Sequence, residues 1–154
     1  QLIGSPEDRM ARPELAEDAT QADQGVVVYW EKCMACHGDR GQGLTEEWRE
    51  AWGPDHMDCW QSHCHAENHG ESAFHMTSIA PRSVGPGALI RFETVQDYYD
   101  FIATNMPWWD PGQLSSEQYW QLTAYLIREN GGVLPDTIDE SNAADLILSP
   151  AAAQ

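Results

Sequence analysis

Aliphatic side chains are scarce in this chain. Leu, Ile, Val and Phe account for 26 of its 154 residues, about 17 %, a range in which highly charged chains tend to stay disordered. Basic residues are scarcer still. Eight Lys plus Arg, with Lys32 the only lysine, stand against 25 Asp plus Glu, for a formal charge of −17. That shortage excludes nucleic acid as an ordinary partner, because phosphate binding needs cationic side chains. The longest aliphatic run is Val26-Val27-Val28, far short of the ~18 residues of a transmembrane helix. Four cysteines are too few for a disulfide scaffold in a chain of 154 residues. The chain starts at Gln1 without a positive or apolar leader, and the expectation is a mature, exported chain whose targeting segment is absent.

Other features pull towards order. Seven Trp and five Tyr supply apolar surface, and the length sets a prior of one domain. A chain so poor in aliphatics either stays loose or completes its interior with an apolar group that is not an amino acid.

The pattern along the chain is helical between irregular segments. Residues 1–19 are polar, acidic and aperiodic, and read as an extended N-terminal arm. Residues 20–33 read as a helix opened by Thr20 with Asp23 as its capping-box partner, and with Gly25 and Tyr29 on one face. A short helix is expected over Thr45–Trp52. Thr94 and Asp97 open another over Val95–Thr104, which Pro107 stops, and its stripe is Val95, Tyr98, Tyr99 and Ile102. Ser115 and Gln118 open the last, 116–130, with Leu114 and Tyr119 as a hydrophobic staple and Asn130-Gly131-Gly132 as its end. Residues 53–90 hold five of the six His and show little periodicity; loops are expected there. Residues 133–154 read as a C-terminal tail with one apolar cluster, Leu146-Ile147-Leu148.

Cys33-Met34-Ala35-Cys36-His37 has the C-x-x-C-H spacing of c-type haem attachment. Two thiols so placed form thioethers to one haem, and the adjacent His is held beneath the iron. A zinc site would need two further ligands at comparable spacing. Gly38, Gly41 and Gly43 let the backbone turn closely around a flat macrocycle. About 70 residues on, Met106-Pro107 lies between two helices, where a thioether suits the sixth position of the iron; His/Met ligation raises the potential.

These parts together resemble a class I cytochrome c: the Gly25/Tyr29 helix, Cys33–His37, the glycines after it, Met106-Pro107 and the closing helix. The resemblance covers residues 20–52 and 85–130. It implies an all-α fold of three to five helices wrapped around covalent haem, within a domain spanning 20–132. It also implies that the first and last helices cross at Gly25 against Tyr125 or Tyr119. The ring of lysines with which that family docks acidic partners is missing, so its docking mode does not carry over.

Cys59-Trp60-Gln61-Ser62-His63-Cys64-His65 is C-x4-C-H, similar to a variant attachment motif of multihaem cytochromes. Here the alternatives are a Cys59–Cys64 disulfide or a zinc site. The expectation is a second haem c in a loop-rich insertion, 53–84, with Cys59 and Cys64 attached and His65 proximal. His56, His63, His69, His75, Met57 and Met76 are available as its sixth ligand. His75 is favoured; His69, four residues after His65, would share its face in a helix and could instead serve another haem. Arg82 and Arg91 are candidates for the haem propionates, since Arg grips carboxylates as a fork.

The expected function is electron transfer between redox donor and acceptor proteins by a diheme cytochrome, with no bond-making chemistry. A periplasmic or extracellular location follows from where haem is attached. A homo-polymeric filament with haems stacked between copies is the further option, opposed by the charge of −17. A monohaem shuttle and a zinc-binding protein are the other readings.

Overall fold

The computed structural model describes residues 6–148. Six helical segments occur there: α1 (Pro6–Met10), α2 (Gln21–Lys32), α3 (Met34–His37), α4 (Glu46–Ala51), α5 (Val95–Asn105) and α6 (Ser116–Glu129). The described residues contain no strand, only an isolated bridge between Thr94 and Ile147. The fold is thus all-α, with α1 and α3 as short additions to the expected helices.

Local chemistry sets the helix starts. Thr20, Thr94 and Ser115 each accept a hydrogen bond from the backbone N–H three residues on. Asp23, Asp97 and Gln118 reach back to the cap N–H in return, so two otherwise orphaned donors are satisfied at each start. Thr45 caps α4 through the N–H of Trp48.

The frame is the crossing of α2 and α6. Gly25 lies against α6 so closely that a Cβ there would stand 2.0 Å from the Gln121 carbonyl oxygen and 2.7 Å from Tyr125 Cβ. Tyr125, rather than Tyr119, is therefore the aromatic that Gly25 admits. The rings of Tyr125 and Tyr29 are 5.3 Å apart across the same crossing. Helix α5 lies on the other side of α6, with Tyr99 stacked on Trp120 at 3.7 Å. Leu114 and Tyr119, the expected staple, are both buried.

The terminal segments lie against this frame. Arg9 is bonded by its guanidinium to both oxygens of Asp39, at 2.8 Å each, and it pairs with Glu47. Its charge lies 5.2 Å from the ring centre of Trp48, which is wholly buried. Trp30 donates its indole N–H to the Met10 carbonyl. At the other end Ile138 and Ala143 are fully buried, and Gln21 brackets Ile138 by accepting from its N–H and donating to its carbonyl. The N–H groups of Val95 and Leu148 donate to Leu146 and Glu93 carbonyls. Segment 133–148 has no helix, yet it closes the core.

Between α3 and α4 the glycine loop holds another segment. Ser83 and Val84 donate to the Gly41 carbonyl, and Leu44 donates to that of Ala80. A Cβ on Gly43 would come within 2.7 Å of the Ala80 oxygen, and Gly43 has φ +88°. These glycines thus make room for residues 80–84, and that placement positions the site below. The insertion 53–84 consists of turns and bends, with Met76 its one buried residue.

Candidate cofactor site

A cleft opens between α2, α5 and α6, with about 770 Å³ of empty space that is partly open to solvent. Cys33, Cys36 and His37 line it from one end of α2, and Met106 lines it from the end of α5. The structure therefore brings together the motif and the methionine that stand about 70 residues apart. Tyr98, Phe101, Ile102, Leu122 and Leu126 add an apolar wall, and Trp108 and Trp109 add aromatic surface at the rim.

The donor set fits haem c. His37 Nδ1 lies 2.8 Å from the Pro81 carbonyl oxygen. A carbonyl only accepts, so Nδ1 carries the proton and Nε2 keeps its lone pair for a metal, as a ligating histidine requires. Burial holds the His37 pKa below its ordinary value, with the Pro81 contact opposing. Burial pushes the Cys33 thiol up to about 12 and the Cys36 thiol up to about 11, where Cys59 adds to the effect. Thiols so raised are poor reagents for disulfide exchange. No two of the four cysteines are joined in a disulfide.

Met106 is held by its backbone. Its N–H donates to Ile102, and its carbonyl accepts the Tyr119 hydroxyl at 2.7 Å, while that hydroxyl accepts from Gly112 N–H. Arg82 and Arg91 both line the cleft, and among the described residues neither forms an ion pair. Arg91 lies over Phe101 and Phe92, at 4.1 and 4.9 Å from the ring centres. Neither arginine is engaged by an acid of the chain, so both are open to a carboxylate at the cleft.

The second motif repeats this geometry. His65 Nδ1 lies 2.9 Å from the Phe74 carbonyl oxygen, so its Nε2 is also left free. Cys59 is half-buried and Cys64 exposed. The other histidines are not gathered round it. His56, His63 and His75 are exposed, and His69 is half-buried with Nδ1 on the Gly70 carbonyl oxygen. No hydrogen bond or ring contact joins His69 or His75 to His65 among the described residues. Residues 65–69 form turns rather than a helix, so the shared face expected for His65 and His69 does not arise. Among the described residues, no group of three or more His, Cys, Asp or Glu forms a cluster fit for a metal ion.

Two partners were invisible to motif reading. Pro81 and Phe74 act through backbone carbonyls, which carry no side-chain signature. Pro81 had one hint, as it follows the histidine by a loop and fixes its own backbone.

The fold and this donor set define a c-type cytochrome, a protein with covalently bound haem c that transfers electrons. The chain belongs to the family described as cytochrome c oxidase, cbb3-type, subunit III, whose model matches residues 20–126. No curated protein matches it. Among solved structures it is similar to the sulfane dehydrogenase SoxCD from Paracoccus pantotrophus, with 22 % identity and a TM-score of 0.51, over 84 % of this chain and 54 % of that one. The chain thus spans about half the length of that relative, and the likeness is one of fold. Thiosulfate dehydrogenase TsdBA from Marichromatium purpuratum matches at 23 % identity and a TM-score of 0.41, over 75 % of this chain and 19 % of that one. No helix among the described residues is long and apolar enough to cross a membrane.

Proposed function

We propose that this cytochrome carries electrons through two covalent haems, with no bond-making chemistry of its own. Cys33 and Cys36 would attach the first, and His37 and Met106 would hold its iron; Cys59 and Cys64 would attach the second, and His65 would hold its iron. The observation that carries the reading is the duplicated hydrogen bond: each motif histidine gives its Nδ1 proton to a backbone carbonyl, at 2.8 and 2.9 Å. The contact leaves each Nε2 open to a metal, as a ligand needs; His69 makes a like contact with Gly70, so it is the position of His37 and His65 directly after a cysteine that singles these two out.

When bound, haem supplies a one-electron couple. The chain fixes the ring orientation of His37 and His65, shields the first site with the apolar wall, and offers Arg82 and Arg91 to carboxylates. With His37 and Met106 both engaged, the first site leaves no position for a substrate, so it serves electron exchange with donor and acceptor proteins. Haem attachment takes place outside the cytoplasm, which favours a periplasmic or extracellular setting.

The test is a pyridine haemochrome assay combined with the intact mass of the purified chain. Two haems per chain are expected. One haem, with Cys59 and Cys64 oxidised together, would refute the second site and leave a monohaem shuttle. A second reading, a filament in which haems stack between copies, draws on the exposed His56, His63 and His75. The charge of −17 works against it. Light scattering on the dilute protein separates the two forms.

A further inference from the structure

We propose that Phe74–Met76 is the junction through which the two centres communicate, so that the redox state of one sets the reduction equilibrium of the other. This rests on the two-haem reading above.

Two residues of this segment, Phe74 and Met76, link the second motif to the first site. The Phe74 carbonyl holds His65, and the Phe74 ring lies 4.6 Å from the His65 ring. The other contact of that ring is Trp109, stacked at 5.0 Å and 19°, and Trp109 lines the first cleft. Two residues on, Met76 donates its N–H to the His65 carbonyl and accepts the indole N–H of Trp60, each from within the second motif. Its sulfur meets the Cys36 sulfur at 3.4 Å, the attachment point of the first. Met76 is 6 % exposed.

Ordinary packing of an insertion onto a domain needs only some apolar side chain at the contact. Here the partners are the motif residues themselves: a proximal histidine and a motif tryptophan on one side, an attachment cysteine and a cleft wall on the other. Haems held by these residues would lie close to each other. At an illustrative separation of about 10 Å and an effective dielectric near 20, a unit charge on one would alter the equilibrium of the other by about tenfold. The exchange is balanced without further reagents. One electron leaves ferrous iron at one centre and reduces ferric iron at the other, no bond is made, and no proton moves.

The experiment uses the full chain after intact mass has established its haem count. In a spectroscopic redox titration, the reduction constant of each centre is expected to change about tenfold with the state of the other. After rapid photoreduction, exchange between centres is expected to slow in Phe74→Leu and Trp109→Leu. Both variants open the ring stack and leave the Phe74 carbonyl on His65. Each should keep two haems, and Phe74→Leu, whose side chain lies outside the first cleft, should also keep the first centre's absorption spectrum, which a general loss of structure would not. Two haems titrating as independent centres, or exchange unchanged in both variants, would overturn the junction alone. A mass showing one haem would overturn the two-haem reading and the junction with it.

Discussion

Replacing Gly25 by alanine tests the helix crossing on which the cleft depends. A methyl carbon at this position would stand 2.0 Å from the Gln121 carbonyl oxygen, 2.6 Å from its carbon and 2.7 Å from Tyr125 Cβ. None of these atoms can be moved by a change of rotamer, because two belong to the backbone of α6 and the third is fixed to it. Ordinary contact begins at 3.4 Å, so α2 and α6 must part by about 1.4 Å at this point. Overpacking of this kind costs about 1–3 kcal/mol, and a backbone obstacle places the cost at the upper end. Alanine returns about 1 kcal/mol as the better helix former. The net loss is about 2 kcal/mol, which in a domain of this size lowers Tm by about 4–8 °C. Thermal unfolding of the holoprotein followed by far-UV circular dichroism reads this directly. Gly70→Ala is the control, since nothing lies within 4 Å of its added Cβ, and its effect should stay within about 0.5 kcal/mol. A Gly25→Ala protein as stable as the wild type would refute the close crossing.

Other perturbations probe the caps, the termini and the axial loop. Asp23 is held down at about 2 by the Thr20 hydroxyl first and Arg128 second. Its folded pKa lies below the unfolded value, so its stabilisation is complete above about pH 4 and disappears as pH falls towards 2. Asp23→Asn should flatten that part of a stability-versus-pH curve, and an unaltered acid limb would contradict the cap. Arg9→Met removes the Asp39 and Glu47 pairs and leaves the Asp39 carboxylate half-buried; chemical denaturation should register a loss of about 1–3 kcal/mol, against none if the N-terminal segment were undocked. Tyr119→Phe deletes two hydrogen bonds, to Met106 and from Gly112, at about 1–2 kcal/mol. It should also weaken the absorbance of sulfur ligation at the first iron, whereas an unchanged band would detach Tyr119 from that site. His75→Ala tests the expected sixth ligand of the second centre: a high-spin shift in its spectrum is expected, and an unchanged spectrum would exclude His75.

Much of this was legible because short-range chemistry dictates it. The capping pairs Thr20/Asp23, Thr94/Asp97 and Ser115/Gln118 act within four residues, and each begins a helix where expected. C-x-x-C-H carries its own geometry, and Met106 lies where a helix must end before Pro107. The terminal segments were not legible as packed structure. Ile138 and Ala143 follow no helical or strand period, and their burial depends on Gln21, more than a hundred residues away. Arg9 in an acidic stretch looks like a solvated charge until Asp39 and Glu47 are brought to it. The Gly41 and Gly43 turns were expected to face a macrocycle, and their observed neighbours are Val84 and Ala80. A positive φ needs glycine in either case, so sequence alone does not say what the turn accommodates.

The shortage of aliphatics is not spread evenly, and its distribution bears on the second site. The frame of α2, α5 and α6 assembles a core from Val95, Leu122, Ile127 and aromatic rings, closed by Ile138. That part of the chain holds itself together around an apolar cleft. The segment 53–84 has no such core: Met76 is its one buried residue, and that side chain meets Cys36 of the first motif. Turns without buried apolar area gain little to offset the entropy of ordering them, about 1–2 kcal/mol of backbone per residue. Yet Trp60, Phe74 and His65 hold defined partners here. A flat apolar group fastened through Cys59 and Cys64, as proposed, would supply both a covalent tether and the missing burial. The segment should therefore be the first to lose protection when that group is withheld. In hydrogen exchange on protein with Cys59→Ser and Cys64→Ser, amides of 53–84 should exchange rapidly while those of α2 and α6 stay protected. Equal protection of 53–84 in the variant would show that its order is intrinsic and would remove this support for a second haem.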